Sequence, residues 1–216
     1  MTEAMANRQD AVVTSSQAHR CLAEFLGTAL LVAVVVGSGI AAQQLSPEDI
    51  GLQLLENSTA TVFGLATLIL LFGPGSGAHF NPVVSSAYWF LGRRSGHGLS
   101  LPEVGAYAIA QVVGGICGAL LANVVFGVGT EISTKHRATE SHLIAEVVAT
   151  AVLVALIFAL VRSDRGAIAA LAVGACIGAA YWFTNSTSFA NPAVTIGRIL
   201  SDAGSKADDV VVPHTH

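Results

Sequence analysis

The residues best placed to do chemistry come as two matched short segments. Gly77-Ala-His79-Phe-Asn81-Pro82-Val83-Val84 and Thr187-Ser188-Phe-Ala-Asn191-Pro192-Ala193-Val194 each set Asn-Pro in an apolar context. Asn is a strong helix N-cap and Pro suits the first helical position, so each motif starts a helix. The stretches that follow, residues 83–91 and 193–200, are too short to cross a bilayer and read as half-helices. One Asn-Pro is an ordinary turn; two matched copies imply a shared job. Two such starts meeting near the middle of a membrane would bring together the positive ends of both helix dipoles and the amides of Asn81 and Asn191. That arrangement repels cations and donates hydrogen bonds to small uncharged polar molecules.

The elements that must position these motifs are membrane spans. Of the 216 residues, 53% are hydrophobic and 11% charged, with mean hydropathy +0.65; a soluble domain carries about 25% charged residues. Runs of the required length fall at residues 22–42, 57–72 (ending at Gly73-Pro74-Gly75), 104–129, 143–161 and 167–183. The first follows about 20 polar residues that read as a disordered tail, not a cleaved leader. Arg8, Arg20, Arg93, Arg94, Arg162 and Arg165 would share one side, against Lys135, Arg137, Arg198 and Lys206 on the other, which favours a cytoplasmic N-terminus. Gly114/Gly118, Gly174/Gly178 and Ala145/Ala149, each pair four apart, supply small faces for helix packing.

The chain also repeats. Cys21-Leu-Ala-Glu24-Phe-Leu-Gly-Thr-Ala-Leu parallels Leu143-Ile-Ala-Glu146-Val-Val-Ala-Thr-Ala-Val, and each copy leads to one Asn-Pro loop. A unit with an odd number of spans reverses its orientation on duplication, giving an inverted repeat whose loops enter from opposite sides. Glu24 and Glu146 are intramembrane carboxylates whose natural partners are the backbone amides of the re-entrant loops, a structural role.

Other chemistries find little support. A charge of −4 and pI near 5.9 offer no basic surface for nucleic acid. Cys21, Cys117 and Cys176 lack metal or disulfide spacing, and His214 and His216 read as an incidental pair. Ser76 and His79 lie close, but Pro74 and Ala78 hold the glycine positions of a nucleophile elbow and no acid stands nearby, so the chain is not read as an enzyme. The loop at 130–141 reads as a solvated connection. No cofactor is implied.

The doubled motif resembles the aquaporin or major intrinsic protein family, whose signature is a pair of Asn-Pro-Ala loops on an inverted three-helix repeat. The likeness covers residues 22–200 and, at the filter, is similar to bacterial aquaglyceroporin-like channels associated with arsenic resistance. It implies an all-α membrane protein in a bacterial-type inner membrane, a homotetramer with one pore per chain. Pore motifs would be Asn81, Pro82, Val83 and Asn191, Pro192, Ala193, with His79 lining the pore or bracing it.

Three departures stand out. Val83 replaces the first motif's alanine, a small steric change. Val194 stands where the family places an arginine, so the outer filter loses a fixed charge; the other filter positions fall at Thr61, Ala179 and Ser188, all small or uncharged. Such a filter implies passage of solutes larger than water, namely glycerol-like polyols or neutral metalloid hydroxides such as arsenous acid. Arg198, one turn beyond Val194 and followed by Asp202, reads as a half-helix C-terminal arginine facing water or headgroups, in preference to a substitute filter charge. Lastly, no apolar span follows Leu200.

The expected architecture is therefore five spanning helices and two half-helices with the sixth spanning helix missing. Residues 1–20 form a tail, 21–129 the first repeat, 130–141 a connection, 142–200 an incomplete second repeat and 201–216 a polar tail. A passive channel is the leading reading; a truncated, non-conducting subunit is the alternative.

Overall fold

The computed structural model describes residues 16–93, 98–130, 140–184 and 190–201. Among them there is no strand, and five helices are long and apolar enough to cross a membrane. Helix α1 is Gln17–Leu45 and α2 is Ile50–Ser76. The half-helix α3 (Pro82–Gly92) precedes α4 (Leu101–Phe126). After α5 (Glu140–Arg162), a 3-10 turn at Gly166–Ile168 leads into α6 (Ala169–Phe183). The second half-helix, α7 (Pro192–Gly197), tightens into a 3-10 turn at Arg198–Leu200.

Boundaries differ from the sequence expectation at three places. Ser16 caps α1 by accepting from the His19 N–H at 3.3 Å, so residues 17–20, read as tail, form the helix's first turn. The second span starts seven residues before Asn57 because its polar first turns bond to α1 and the corner beyond it. Gln53 Nε2 donates to the Ser46 carbonyl at 2.6 Å, Ser46 Oγ to Glu56 at 2.9 Å and Asn57 Nδ2 to the Val35 carbonyl at 2.8 Å. Nor does α2 stop at Gly73-Pro74-Gly75: it runs through Pro74 to Ser76 and ends at Gly77, whose φ of 91° is the left-handed cap glycine accepts readily. Most of residues 1–20 and 201–216, and most of the 130–141 connection, lie outside the described residues.

Helix α1 is the central post, packed against both α4 and α2; α2 meets α6, α4 meets α7, and α5 meets α6. Small residues make the closest of these contacts. A Cβ at Gly114 or Gly118 would run into the carbonyl oxygens of Phe25 and Ala29, so α1 and α4 touch backbone to backbone. Gly174 brings α6 similarly close to α2, where a Cβ would sit 2.8 Å from the Val62 carbonyl oxygen. Without water to expel between lipid-facing helices, such close packing supplies much of their attraction. Inside the bundle, Leu31, Val32, Val36, Phe80, Val173 and Val194 belong to one apolar core.

Candidate functional site

The first re-entrant loop is held by one buried carboxylate. Glu24 is 0% exposed, and its oxygens accept from Ser76 Oγ (2.6 Å), the N–H groups of His79 (3.0 Å) and Phe80 (2.7 Å), and Gln111 Nε2 (2.7 Å). Those bonds hold a backbone that would not otherwise persist. Ala78 and Phe80 have φ of 51° and 49°, left-handed values disfavoured for side chains with a Cβ. Phe80 seats its ring against Gly27, where any side chain would collide with it, and edge-on to Phe72 at 6.0 Å. Tyr107 braces the loop from behind, donating to the Ser76 carbonyl at 2.8 Å and accepting from Arg20 Nε at 3.0 Å, while Arg20 pairs with Glu103 at 2.8 Å.

The two Asn-Pro motifs fold alike and meet. Asn81 Oδ1 accepts from the Val83 N–H at 2.9 Å, and Asn191 Oδ1 from the Ala193 N–H at 3.0 Å, each capping its own half-helix. Their backbones match, with φ and ψ of −151° and 118° for Asn81 and −154° and 104° for Asn191. Asn81 Nδ2 donates to the Ala190 carbonyl and Asn191 Nδ2 to the Phe80 carbonyl, both at 2.7 Å. A side-chain amide carries two N–H groups. One of each pair is thus committed across the loop contact, leaving one per asparagine for a solute.

Both asparagines line a cavity of about 830 Å³. It extends from Arg20, Tyr88 and Gly166 at one end of the bundle, past the amide pair, to Thr61, Tyr181 and Arg198. The walls are mainly aliphatic, from Leu31, Val35, Leu65, Leu153 and Ile157 among others. Between the arginines Arg20 and Arg198, polar groups come from the unwound loop, the two amides and the hydroxyls of Tyr88, Thr61 and Tyr181, the last two 3.1 Å apart. A solute there trades water for a few fixed donors and acceptors along an otherwise apolar wall.

Not every sequence expectation lands on this cavity. His79 lines it, with Nδ1 3.1 Å from Ser85 Oγ and its ring edge-on to Tyr88 and Tyr107. Pro82 and Pro192 occupy the first helical positions, and Val83 and Ala193 contribute N–H groups to the caps without facing the cavity. Thr61 and Val194 line it; Ser188 lies outside the described residues. Ala179 is corrected: it is exposed, while Ile177 and Tyr181 on the same helix face the cavity. Helical geometry explains this, since residues four apart share a face and a residue midway between them points away. Tyr181 escaped the sequence reading, although a hydroxyl-bearing aromatic at the end of a small-residue helix was its signal.

The expectation for Arg198 is also corrected. It is 4% exposed and lines the cavity instead of facing water or headgroups. Glu146 is half-buried on α5, at the repeat position equivalent to Glu24; residues 185–189 of its own loop are outside the described residues. Ser76 and His79 do not form a nucleophile pair, because the Ser76 hydroxyl donates to Glu24 and the His79 ring turns to Ser85.

Comparison with known proteins agrees with this geometry. The family model for Major intrinsic protein matches residues 11–201. The chain is 47% identical over 188 residues to the aquaglyceroporin AqpS of Rhizobium meliloti (strain 1021), covering 87% of this chain and 78% of that protein. It is 35% identical over 219 residues to a glycerol uptake facilitator protein of Pseudomonas aeruginosa, covering 87% and 75%. It is 31% identical over 215 residues to aquaporin AqpM of Methanothermobacter marburgensis, covering 87% and 85%. Among solved structures, the aquaglyceroporin from Plasmodium falciparum aligns with TM-score 0.60 at 20% identity, over 89% of this chain and 87% of that one, a likeness of fold.

Proposed function

The chain belongs to the major intrinsic protein family, and on that premise we propose that it is a passive channel for small neutral solutes: water, glycerol-like polyols and neutral metalloid hydroxides such as arsenous acid. The observation that carries the polyol reading is the outer half of the cavity, where Val194 and Thr61 line the wall with no bulky side chain at position 194. A polyol slides with its carbon edge on the aliphatic wall and its hydroxyls toward Asn81, Asn191 and the unwound loop. Arsenous acid, a neutral trihydroxide of similar size, meets the same donors. The names of two relatives, an aquaglyceroporin and a glycerol uptake facilitator, support the same solute class.

The uncharged N–H donors at Asn81 and Asn191 give a neutral hydroxyl what water gave it, whereas a small cation finds no compensating carboxylate among the described lining residues. Flux follows the gradient, so uptake and release use one path. Assembly as a homotetramer in a bacterial-type inner membrane, with a cytoplasmic N-terminus, completes the proposal; the six-to-four split of basic residues supports that orientation.

The test is stopped-flow light scattering of liposomes holding the 216-residue chain, with water, glycerol and arsenous acid beside protein-free controls. Wild type should pass all three. Val194→Arg should cut glycerol and arsenous acid flux by about tenfold or more, because a steric mismatch of this size is worth roughly 1–3 kcal/mol, while water declines less. Equal loss of all three solutes, or none, would overturn the filter assignment. Properly inserted wild type without added permeability would instead favour a non-conducting subunit.

A further inference from the structure

We propose that Arg198 is the charge-selecting residue of this pore, one helical turn beyond Val194, so that size and charge are screened at separate positions. This rests on the channel reading above and deepens it. The segment that carries Arg198 is pressed backbone to backbone onto α4. A Cβ on Gly197 would lie 2.6 Å from the Gly115 carbonyl oxygen, and one on Gly115 would lie 2.5 Å from the Ala193 carbonyl oxygen. Beyond the contact, Asn123 Nδ2 donates to the Leu200 carbonyl at 3.0 Å and holds the end of the 3-10 turn. With one face fixed on α4, the opposite face looks into the cavity, and Val194 and Arg198, four residues apart, are the side chains found there.

Val194 is 7% exposed and Arg198 4% exposed, so the guanidinium is enclosed within the channel wall. Among the described residues that line the cavity, the charged ones are arginines, Arg20 toward one mouth and Arg198 toward the other. A guanidinium carries a positive charge, and in a constriction of low dielectric its field acts on a passing ion far more strongly than in water. Opening the filter at Val194 therefore enlarges the passage without removing the barrier to cations. The chemistry excluded is that of small cations no larger than the permeant polyols, such as methylammonium and guanidinium.

Two measurements test this. In liposomes, wild type should pass glycerol but hold back methylammonium; Arg198→Met should raise methylammonium flux by about tenfold or more, as loss of a nearby charge in low dielectric requires. Arg198→Lys should restore the exclusion, and detectable glycerol flux in each variant certifies a folded pore. Arg198→Met that passes glycerol and still excludes methylammonium as wild type does would overturn the proposal. The second measurement needs no flux. With Val194→Cys as a reporter, the outer mouth should react faster with an anionic than with a cationic methanethiosulfonate of similar size, relative to free thiol. Adding Arg198→Met should lower that ratio by about tenfold. An unchanged ratio sinks the assignment, and absent wild-type glycerol flux with a changed ratio sinks only the channel reading.

Discussion

Asn81 and Asn191 each donate to the carbonyl of the residue preceding the other, Ala190 and Phe80, at the same 2.7 Å. Reciprocity of this kind, in which one residue reaches for its partner's neighbour and the partner returns the contact, is the mark of a two-fold relation. Here the relation is approximate and joins the two Asn-Pro loops of one chain.

Asn191→Asp should disable this contact. The substitution exchanges a donor for an oxygen facing the Phe80 carbonyl, and leaving buried polar groups unsatisfied costs about 1–3 kcal/mol, more for a charge. We expect a lower thermal unfolding temperature in detergent and near-complete loss of glycerol flux. Retention of both would mean the bond across the loops is dispensable.

Glu24→Gln keeps the shape and removes the charge. Four donors converge on the carboxylate, and hydrogen bonds to charged groups contribute about 1.5–3 kcal/mol each, so the glutamine should lose several such units in part. The left-handed residues Ala78 and Phe80 then lose their restraint, and protease sensitivity at the first loop should rise. Limited proteolysis of both proteins reads this directly.

Gly115→Ala places a methyl 2.5 Å from the Ala193 carbonyl oxygen, a distance only backbone movement relieves. The half-helix α7 must back away from α4 and carry Val194 into the passage. Helix content by circular dichroism should hold while glycerol flux falls by about tenfold, as overpacking costs about 1–3 kcal/mol.

Tyr107→Phe deletes the hydroxyl that donates to Ser76 and accepts from Arg20. Two bonds of ordinary strength amount to about 1–3 kcal/mol. A thermal unfolding temperature equal to wild type would show that the Arg20–Glu103 pair holds this end unaided.

Tyr181→Phe removes the bond to Thr61 across the cavity. With that bond gone, the Thr61 hydroxyl should offer itself to solutes, shifting the glycerol-to-water permeability ratio by about two- to threefold, the scale of one neutral hydrogen bond. Stopped-flow measurements with both solutes decide it.

What the sequence determined by itself was everything carried by local pattern. Apolar runs between charges located the spans, Asn-Pro marked the half-helix starts, and the repeat of Ala-Glu with Asn-Pro implied two related halves, because capping and hydropathy depend on neighbours along the chain. Tertiary structure decided the rest. The polar start of α2 looked like loop until Gln53 and Asn57 found acceptors near the end of α1. The rotation of α6 about its axis, which turns Tyr181 inward and Ala179 outward, follows from Gly174 docking on α2. Arg198 changed most: its place at the C-terminal end of a half-helix pointed to water or headgroups, but α4 occupies one side of its backbone and leaves its side chain the cavity. Spacing names the residues on a helix face; which way that face looks is set by what packs against the other side.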